Sequence, residues 1–227
     1  MKRFLVDALP DEGERVALAP GPAHHLLQVV RVKRGGRVEL FDGSGRTALA
    51  TLVAVEGDIA ILELEETPHL ARPTHPLHLL VGMPKSGAMD TALRAATEAG
   101  ATDLYPVRTS RSTVQGDRGE RWRRIVESAA QQCGRGDLPT VHPLRSLEET
   151  IAALPPDLDR RIALPGAAYL PPAVGPAAVL IGPEGGLTEG EVEVALTSGF
   201  QPQGLGRWTL RTETAAGVAV AMVVPRS

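Results

Sequence analysis

The chain has 227 residues, a mass of 24.0 kDa and a formal net charge of −3 at pH 7. This length allows one large or two modest domains, and the charge excludes a polycation, so any nucleic-acid binding must come from local basic patches. Cys133 is the only cysteine, which excludes an intramolecular disulfide, and no apolar run has the length of a signal peptide or a membrane span, so a soluble cytoplasmic protein is expected.

Residues 1–70 have the pattern of short strands separated by turns. Residues 37–41 alternate apolar and polar side chains and run into Asp42-Gly43-Ser44-Gly45, a hairpin signal. Closely spaced strands of this kind predict a small β-barrel. The other predicted elements here are strands at 2–6, 47–55 and 59–64, a helix at 22–30, and a proline-rich linker at 68–76.

From residue 77 onward, apolar runs alternate with helical patterns. This alternation predicts an α/β domain with a largely parallel sheet. The predicted strands are 77–83, 103–107, 161–164 and 177–181. One predicted helix follows the first of these strands and ends near residue 99, and two others cover 118–133 and 213–224. Residues 140–176 are poorly patterned apart from the strand at 161–164 and the Leu164-Pro165-Gly166 that ends it.

The stretch LIGPEGGLTEGEV at residues 180–192 combines a strand, a glycine-rich turn and a helix start. Thr188 and Glu191 have the spacing of a capping box, which predicts that a helix begins there. Such turns often bind nucleotides, because glycines allow close backbone approach and a helix N-terminus favours anions. Glu184 in the turn would repel a phosphate, however, and no Walker-type Lys-Ser/Thr follows, so a nucleotide-phosphate enzyme is disfavoured.

A second glycine-bearing turn occurs in GLGRWTLRTETAAGVAVAMVV at residues 204–224. Gly204 and Gly206 bracket Leu205, and residues 210–214 lead into a helix rich in Ala and Val. Taken alone, this is the pattern of a buried terminal helix with a threonine cap. Two such turns after successive strands favour a ligand site, because open α/β sheets bind ligands at the carboxyl ends of their strands.

Basic residues form local clusters in this acidic chain. Each cluster is explained equally well by a solvated charged surface, but together they are consistent with an RNA or DNA backbone partner. Cys133, at the end of an apolar helical stripe, is expected to be a small core residue, and the histidines show no metal-ligand spacing, so no metal is expected. The candidate RNA contacts in and beside the basic clusters are Arg31, Lys33 and Arg34, then Arg108 and Arg111, and finally Gln132 and Arg135.

Five motifs, in this order, resemble the SPOUT class of S-adenosylmethionine-dependent RNA methyltransferases. They are RVKRGGRVELFDGSG, ATEAGATDLYPVRTSRS, AAQQCGRGDLP, LIGPEGGLTEGE and LGRWTLRTETA. Within that class the sequence is similar to the bacterial ribosomal RNA small subunit methyltransferase E group, which methylates N3 of a uridine in 16S ribosomal RNA. The resemblance implies a C-terminal α/β knotted domain with a trefoil knot at 71–227, a small N-terminal PUA-like β-barrel that binds RNA at 1–70, and a homodimer.

The resemblance also implies that the glycine-rich loop holds S-adenosyl-L-methionine. This cofactor has no phosphate and carries a cationic sulfonium, so a glutamate in the loop is no contradiction. Arg211 is the candidate for orienting the uridine and Glu213 for accepting its proton, with a capping or structural role as the alternative for Glu213. The cofactor residues carried over are Leu164, Pro165, Gly166, Gly182, Glu184, Gly185, Gly186, Leu205, Gly206, Leu210, Arg211, Thr212, Thr214 and Ala215.

Three functions remain open from the sequence. The first is base methylation of ribosomal RNA within the small ribosomal subunit, which the resemblance favours. The second is 2'-O-methylation of a ribose by the same kind of domain. The third is a non-catalytic RNA-binding module, against which the intact glycines and the Leu-Arg-Thr-Glu-Thr stretch argue.

Overall fold

The computed structural model describes residues 2–85, 87–112 and 116–224. The chain forms two compact units, and each contains two segments of the sequence. Unit 1 consists of Met1–Arg72 and Ala130–Leu138, and unit 2 consists of Pro73–Ala129 and Pro139–Ser227. No helix in the described ranges is both long enough and apolar enough to cross a membrane.

Unit 1 contains a six-stranded, mostly antiparallel sheet with the order β1-β3-β4-β5-β2, and β6 pairs with β4. Among the described strand pairs of this sheet, β1–β3 alone is parallel. A short helix α1 (Pro20–His24) continues into a π-helical turn (His25–Val29) where one helix was predicted. The strands are β1 (Arg3–Leu5), β2 (Arg15–Leu18), β3 (Arg37–Phe41), β4 (Arg46–Glu56), β5 (Ile59–Leu64) and β6 (His69–Leu70).

The core of unit 1 follows from the alternation along its strands. Val38 and Leu40 on β3 are fully buried, and so are Leu62 on β5 and Ala50 on β4. Side chains two residues apart point to the same face of a strand, so each of these strands contributes one apolar row to the same cluster. This is why the predicted strands at 37–41 and 59–64 are confirmed with the same bounds.

The segment 130–138 joins unit 1 through Arg3. The Arg3 guanidinium donates hydrogen bonds to the carbonyl oxygens of Ala130 at 3.4 Å and Arg135 at 3.0 Å, and it pairs with Glu39 at 3.0 Å. Cys133 in this segment is exposed, so the expectation that it is a core residue is wrong. The apolar stripe of its helix ends one turn earlier, where Ala129 and Ala130 are buried.

Unit 2 contains a seven-stranded parallel sheet, as the alternation of apolar runs and helices predicted. The strand order is β10-β8-β7-β12-β11-β13, with β9 paired to β8. The strands are β7 (Leu77–Gly82), β8 (Asp103–Arg108), β9 (Thr140–Val141), β10 (Arg145–Ser146), β11 (Asp159–Ala163), β12 (Ala177–Ile181) and β13 (Gln201–Gln203). The helices are α2 (Ala88–Ala99), α3 (Gly119–Cys133), α4 (Leu147–Ala152), α5 (Glu189–Thr197) and α6 (Thr212–Val223).

Helices cover both faces of this parallel sheet, so its central strands are apolar on both sides. One core contains Leu79 and Val81 of β7 together with apolar side chains of α2, α3 and α6. The other contains Leu80 of the same strand with side chains of α4 and α5. All six residues of β7 and all five of β12 are buried, which explains why both strands were recognisable as continuous apolar runs.

The strand order brings three loops together at the carboxyl edge of this sheet. β11 lies between β12 and β13, so the segments that follow these strands start side by side. The Gly204 amide donates a hydrogen bond to the Ala168 carbonyl at 2.8 Å. A Cβ at Gly204 would lie 2.2 Å from the Ala167 carbonyl oxygen, so only glycine allows the chain to pass this closely.

Candidate functional site

A cavity of about 240 Å³ opens at this carboxyl edge, entirely within unit 2. Its walls come from the segments after β11, β12 and β13 and from the first turns of α5 and α6. Most of the side chains are apolar, and the glycines expose backbone groups. The lining residues are Ala163, Leu164, Pro165, Ile181, Gly182, Pro183, Glu184, Gly186, Leu187, Val192, Leu205, Gly206, Trp208, Thr209, Leu210, Thr212 and Ala215.

The cavity brings together most of the residues proposed from the sequence as cofactor contacts. The proposed residues that line it are Leu164, Pro165, Gly182, Glu184, Gly186, Leu205, Gly206, Leu210, Thr212 and Ala215. Gly166, Gly185, Arg211 and Thr214 lie beside lining residues in the chain but do not line the cavity themselves.

Several lining residues were missed by the sequence reasoning. Ala163 and Ile181 are the last residues of β11 and β12, so the rule that ligands bind at strand ends could have included them. Val192 lies on α5, and only the three-dimensional packing places it in the wall. Trp208 lies within the motif LGRWTLRTETA, but no role was assigned to it from the sequence, and its 74% exposure beside the cavity is seen only in the structure.

The glycine-rich loop 182–187 is held by hydrogen bonds from two other segments. The Thr212 hydroxyl donates to the Gly182 carbonyl at 3.2 Å. The Arg111 guanidinium donates to the carbonyls of Gly185 at 2.8 Å and Leu187 at 3.3 Å. Arg111, which was predicted to contact RNA, therefore holds the loop that forms one wall of the cavity in position.

Within the loop, a tight turn is closed by the Gly186 amide, which donates to the Pro183 carbonyl at 2.8 Å. Gly186 has a φ of +71°, a left-handed conformation that side chains with a Cβ disfavour. Both carboxylate oxygens of Glu184 accept the Lys85 backbone N–H at 3.1 Å. The glutamate that seemed anomalous in the turn thus ties the loop to the segment after β7.

The cavity lining is electrostatically unsuited to a phosphate. Among the described residues that line it, the only ionisable side chain is the carboxylate of Glu184, and no Lys or Arg side chain contributes. A phosphate group needs cations or converging N–H donors. The arrangement instead fits a neutral or cationic small molecule that is held by apolar contacts and backbone groups.

The predicted capping box at the start of α5 is confirmed. The Glu191 amide donates to the Thr188 hydroxyl at 3.3 Å, and the Thr188 amide donates to the Glu191 carboxylate at 2.7 Å. The other carboxylate oxygen accepts the Ser110 amide at 2.6 Å, which links α5 to the segment after β8. Burial raises the pKa of Glu191, but the hydrogen bonds from Thr188 and Ser110 outweigh it, so the pKa lies below its usual value of 4.5.

The two candidate catalytic residues lie at the start of α6. Arg211 is the N-cap residue, and its side chain is exposed. Leu210 and Thr212, its neighbours on either side, both line the cavity. Glu213 is partly buried in the first turn of α6 and does not line the cavity.

The candidate RNA contacts divide between the two units. In unit 1, Arg31, Lys33 and Arg34 are exposed, and so is Gln132. In unit 2, Arg108 and Arg111 are exposed near the carboxyl end of β8.

Arg135 is different from the other candidates. Its side chain is only 10% exposed and forms a two-pronged ion pair with Asp137, one bond being 2.9 Å from Nε to Oδ1. The guanidinium is therefore occupied inside unit 1, which argues against the predicted RNA contact.

Comparison with known proteins gives matches over nearly the whole chain. Residues 71–224 match the family model of an RNA methyltransferase domain, and residues 23–65 match that of an RNA methyltransferase PUA domain. The ribosomal RNA small subunit methyltransferase E of Synechocystis sp. is 34% identical over 222 residues, which cover 92% of this chain and 72% of the relative. The protein of the same name from Mycobacterium tuberculosis is 31% identical over 242 residues, covering 97% and 90%.

Solved structures agree with these relationships. The ribosomal RNA small subunit methyltransferase E of Neisseria gonorrhoeae, bound to S-adenosyl methionine, superimposes with a TM-score of 0.88 at 31% identity, covering 97% of this chain and 95% of that one. A Legionella pneumophila protein in complex with the same cofactor gives a TM-score of 0.84 at 25% identity, covering 96% of this chain and 95% of that one. The chain therefore belongs to the ribosomal RNA small subunit methyltransferase E family.

Proposed function

We propose that the protein transfers a methyl group from S-adenosyl-L-methionine to N3 of a specific uridine in small-subunit (16S) ribosomal RNA. The observation that carries this proposal is the cavity at the carboxyl edge of unit 2, walled by the loop 182–187 and the segment 204–215. Two relatives that share this fold over nearly their whole length hold S-adenosylmethionine. The ribosomal substrate follows from the names of the relatives.

The chemistry of the lining supports this cofactor. Apolar side chains such as Leu205 and Leu210 provide surfaces for its adenine, and glycine backbone groups are available for its polar edges. The cofactor has no phosphate, and its positive sulfonium is compatible with the Glu184 carboxylate. When bound, it supplies a methyl group already activated by a cationic leaving group. Gly166, Gly185 and Thr214 remain proposed contacts on the resemblance alone.

The protein must then align the uridine and remove its N3 proton. N3 lies on the pairing edge of the base, so the base has to be unpaired or flipped out. We assign Arg211 the role of orienting the uracil and stabilising the negative charge that develops as N3 loses its proton. Glu213 is the proposed acceptor of that proton.

RNA binding is assigned to both parts of the chain. We propose that residues 1–70 are a PUA-like RNA-binding domain, with Arg31, Lys33 and Arg34 as phosphate contacts. In the methyltransferase domain at 71–227, Arg108 and Arg111 are the proposed contacts, with Gln132 as a further one. All are exposed, as a phosphate contact requires.

We further propose a trefoil knot, closure of the N-terminal sheet into a barrel, a homodimer and a cytoplasmic location. In support of the knot, the segment after β13 packs closely against the segment after β11, where Gly204 meets Ala167 and Ala168. A homodimer of 24.0 kDa chains would elute near 48 kDa on a calibrated sizing column, and elution as a monomer would contradict it.

The test of the proposed site combines calorimetry with S-adenosylmethionine and transfer of its labelled methyl group to ribosomal RNA. The wild-type protein should bind the cofactor and label the RNA. Leu205→Arg, which places a large cation in the cavity wall, should abolish both. Leu196→Arg is the matched control, because Leu196 lies on α5, is 42% exposed and does not line the cavity.

Two outcomes would contradict the proposal. Absence of cofactor binding by the wild-type protein would favour the non-catalytic RNA-binding module. Equal loss in the two arginine variants would show that the cavity is not the cofactor site. Circular dichroism of each variant establishes that it is folded before either result is interpreted.

A further inference from the structure

Exposed aromatic side chains are rare in this protein. The chain has three Phe, two Trp and two Tyr residues, and all of them are described. Five are at most 7% exposed, whereas Tyr169 is 63% and Trp208 is 74% exposed. Of the two exposed aromatic residues, Trp208 lines the cavity and Tyr169 does not. Because Trp is enriched where proteins contact their partners, an exposed indole beside a ligand site is well placed to contact the molecule that binds there.

The surroundings of Trp208 leave one face of the ring available. The Arg207 guanidinium carbon lies over the indole, 5.0 Å from the ring centroid, which is the geometry of a cation–π contact. Trp208 is 74% exposed, so most of its surface faces solvent. The arrangement is a flat, partly pre-ordered aromatic surface at the mouth of the cavity.

We infer that Trp208 is the platform on which an unpaired RNA base stacks as it enters the site. This inference rests on the proposed function and adds a positioning residue to it. Proteins that take up unstacked bases hold them on aromatic side chains, because every base has a π-face. A base is the fitting partner, since the target uridine must leave its pairing partner before N3 can react.

The position of Trp208 favours the RNA base over the adenine of the cofactor. The inner walls of the cavity are supplied by less exposed apolar residues, such as Ile181 and Leu210, which can enclose an adenine. Trp208 lies at the solvent-exposed rim, which a macromolecular substrate reaches directly. Arg207, also exposed, adds positive charge beside the platform, which suits an approaching phosphate backbone.

The test measures steady-state methylation of ribosomal RNA at saturating S-adenosylmethionine for Trp208→Ala and Trp208→Phe. Loss of one stacked base corresponds to an increase of about 5- to 150-fold in KM for RNA. The value of kcat should change little, because the stack is present both before and during the reaction. Trp208→Phe should recover most of the loss, which a merely structural role for the indole would not predict.

Tyr169→Ala is the matched control, because it removes the other exposed aromatic ring from outside the cavity lining. It should leave KM for RNA near the wild-type value. Calorimetry with S-adenosylmethionine should give the same affinity for Trp208→Ala and the wild type. Sedimentation velocity should give the same assembly state for both.

Three results would overturn the inference while leaving the proposed function intact. They are an unchanged KM in Trp208→Ala, an equal rise in Tyr169→Ala, and a loss of cofactor affinity that accounts for the whole effect. Dissociation of Trp208→Ala into smaller species would also overturn it, because a second copy of the chain would then be what covers the indole. If the wild-type protein methylates no ribosomal RNA, the proposed function itself fails.

Discussion

Arg211 is the residue on which the proposed chemistry depends most. It is the N-cap of α6, but no side-chain hydrogen bond caps the helix there, so its side chain is not used to hold the helix end. Its neighbours Leu210 and Thr212 point into the cavity wall, while Arg211 is exposed. An exposed cation between two lining residues is placed to meet a substrate that arrives from solvent.

Arg211→Ala should therefore slow methyl transfer without weakening cofactor binding. Removal of one group that stabilises developing charge typically lowers the rate by about 10²- to 10³-fold. Single-turnover kinetics with ribosomal RNA measure this step directly, and calorimetry measures the cofactor affinity. Arg94→Ala, an exposed arginine on α2, serves as the control. A wild-type single-turnover rate in Arg211→Ala, with cofactor binding intact, would show that the assigned role is wrong.

The glycine-rich turns and the capping box of the candidate site have local signatures in the sequence, whereas the individual cofactor contacts were proposed from the resemblance to a known family. The structural partner of Glu184 is visible only in three dimensions, where its carboxylate accepts a hydrogen bond from the Lys85 amide 99 residues earlier in the chain. For Arg135, the structure argues against the role that was predicted from the sequence. Its type and position matched an RNA contact, but Asp137 occupies its guanidinium.

At the level of elements, the glycine-rich loop 182–187 is held in place by hydrogen bonds from other segments. Arg111, in the segment after β8, donates to two of its carbonyl oxygens, and Thr212 of α6 donates to a third. The loop has few apolar side chains of its own to fix its position. Its conformation, and hence the shape of the cavity, depends on these contacts.

Arg111→Ala should consequently weaken S-adenosylmethionine binding, although Arg111 does not line the cavity. Hydrogen bonds from charged groups contribute about 1.5–3 kcal/mol when buried, and because Arg111 is exposed we expect about 1 kcal/mol, or roughly fivefold in affinity. Calorimetry would measure this change. Arg94→Ala again provides the exposed-arginine control, and equal affinity in the two variants would show that the loop does not need the hydrogen bonds from Arg111.

Glu191 gives the stability of unit 2 a dependence on pH. Because its folded pKa lies below 4.5, the unfolded chain binds its proton more readily than the folded chain does. The resulting stabilisation is fully present above the unfolded pKa and is lost as the pH falls through the depressed folded pKa. It should therefore disappear in acid below about pH 4.5 and not near neutrality.

Glu191→Gln should lower the free energy of unfolding at pH 7 by about 1–2 kcal/mol, because the capping box and the bond to Ser110 both use the carboxylate. Urea unfolding at pH 7 and pH 3.5 would measure the difference. The difference in the free energy of unfolding between the variant and the wild type should be smaller at pH 3.5 than at pH 7. Glu149→Gln, which removes the exposed carboxylate of the α4 capping box, is the control, and an equally large loss there would contradict the account.

Elements with a strong local pattern were predictable, and short ones were not. β12 and β5 were found with their observed bounds because each is a clear apolar run or alternation. β9 and β10 have two residues each, and β13 is Gln-Pro-Gln, so none has a periodicity to detect. Helix α4 was missed although Ser146 and Glu149 form a capping box that could have located it.

On the scale of the whole molecule, the path of the chain could not be read from the sequence. β12 pairs with β7, which is 95 or more residues earlier, and the segment 130–138 joins a unit otherwise formed by residues 1–72. The placement of segment 130–138 depends on contacts such as that of Arg3 with Ala130, separated by 127 positions. No local pattern encodes them. Periodicity predicted the α/β class and the parallel sheet of unit 2, whereas the resemblance to a known family supplied the specific domain types, a PUA-like domain and a methyltransferase domain.

The net charge of −3 means that RNA affinity must come from local positive clusters. The triple variant Arg31→Ala, Lys33→Ala, Arg34→Ala should weaken RNA binding and reduce the slope of log K against log salt concentration by about 2–3, since each lost phosphate contact removes about one. Filter binding at several salt concentrations would measure the slope. S-adenosylmethionine affinity should not change, because these residues lie in unit 1. An unchanged slope would remove the cluster from the RNA interface.

The central claim is tested most directly by identifying the methylated nucleoside. The protein would be incubated with methyl-labelled S-adenosylmethionine and either small ribosomal subunits or free ribosomal RNA from cells that lack this modification. The RNA would then be digested to nucleosides and analysed by mass spectrometry. Label in N3-methyluridine is the predicted result, and label confined to a 2'-O-methylated nucleoside, or no label despite bound cofactor, would contradict the proposed reaction.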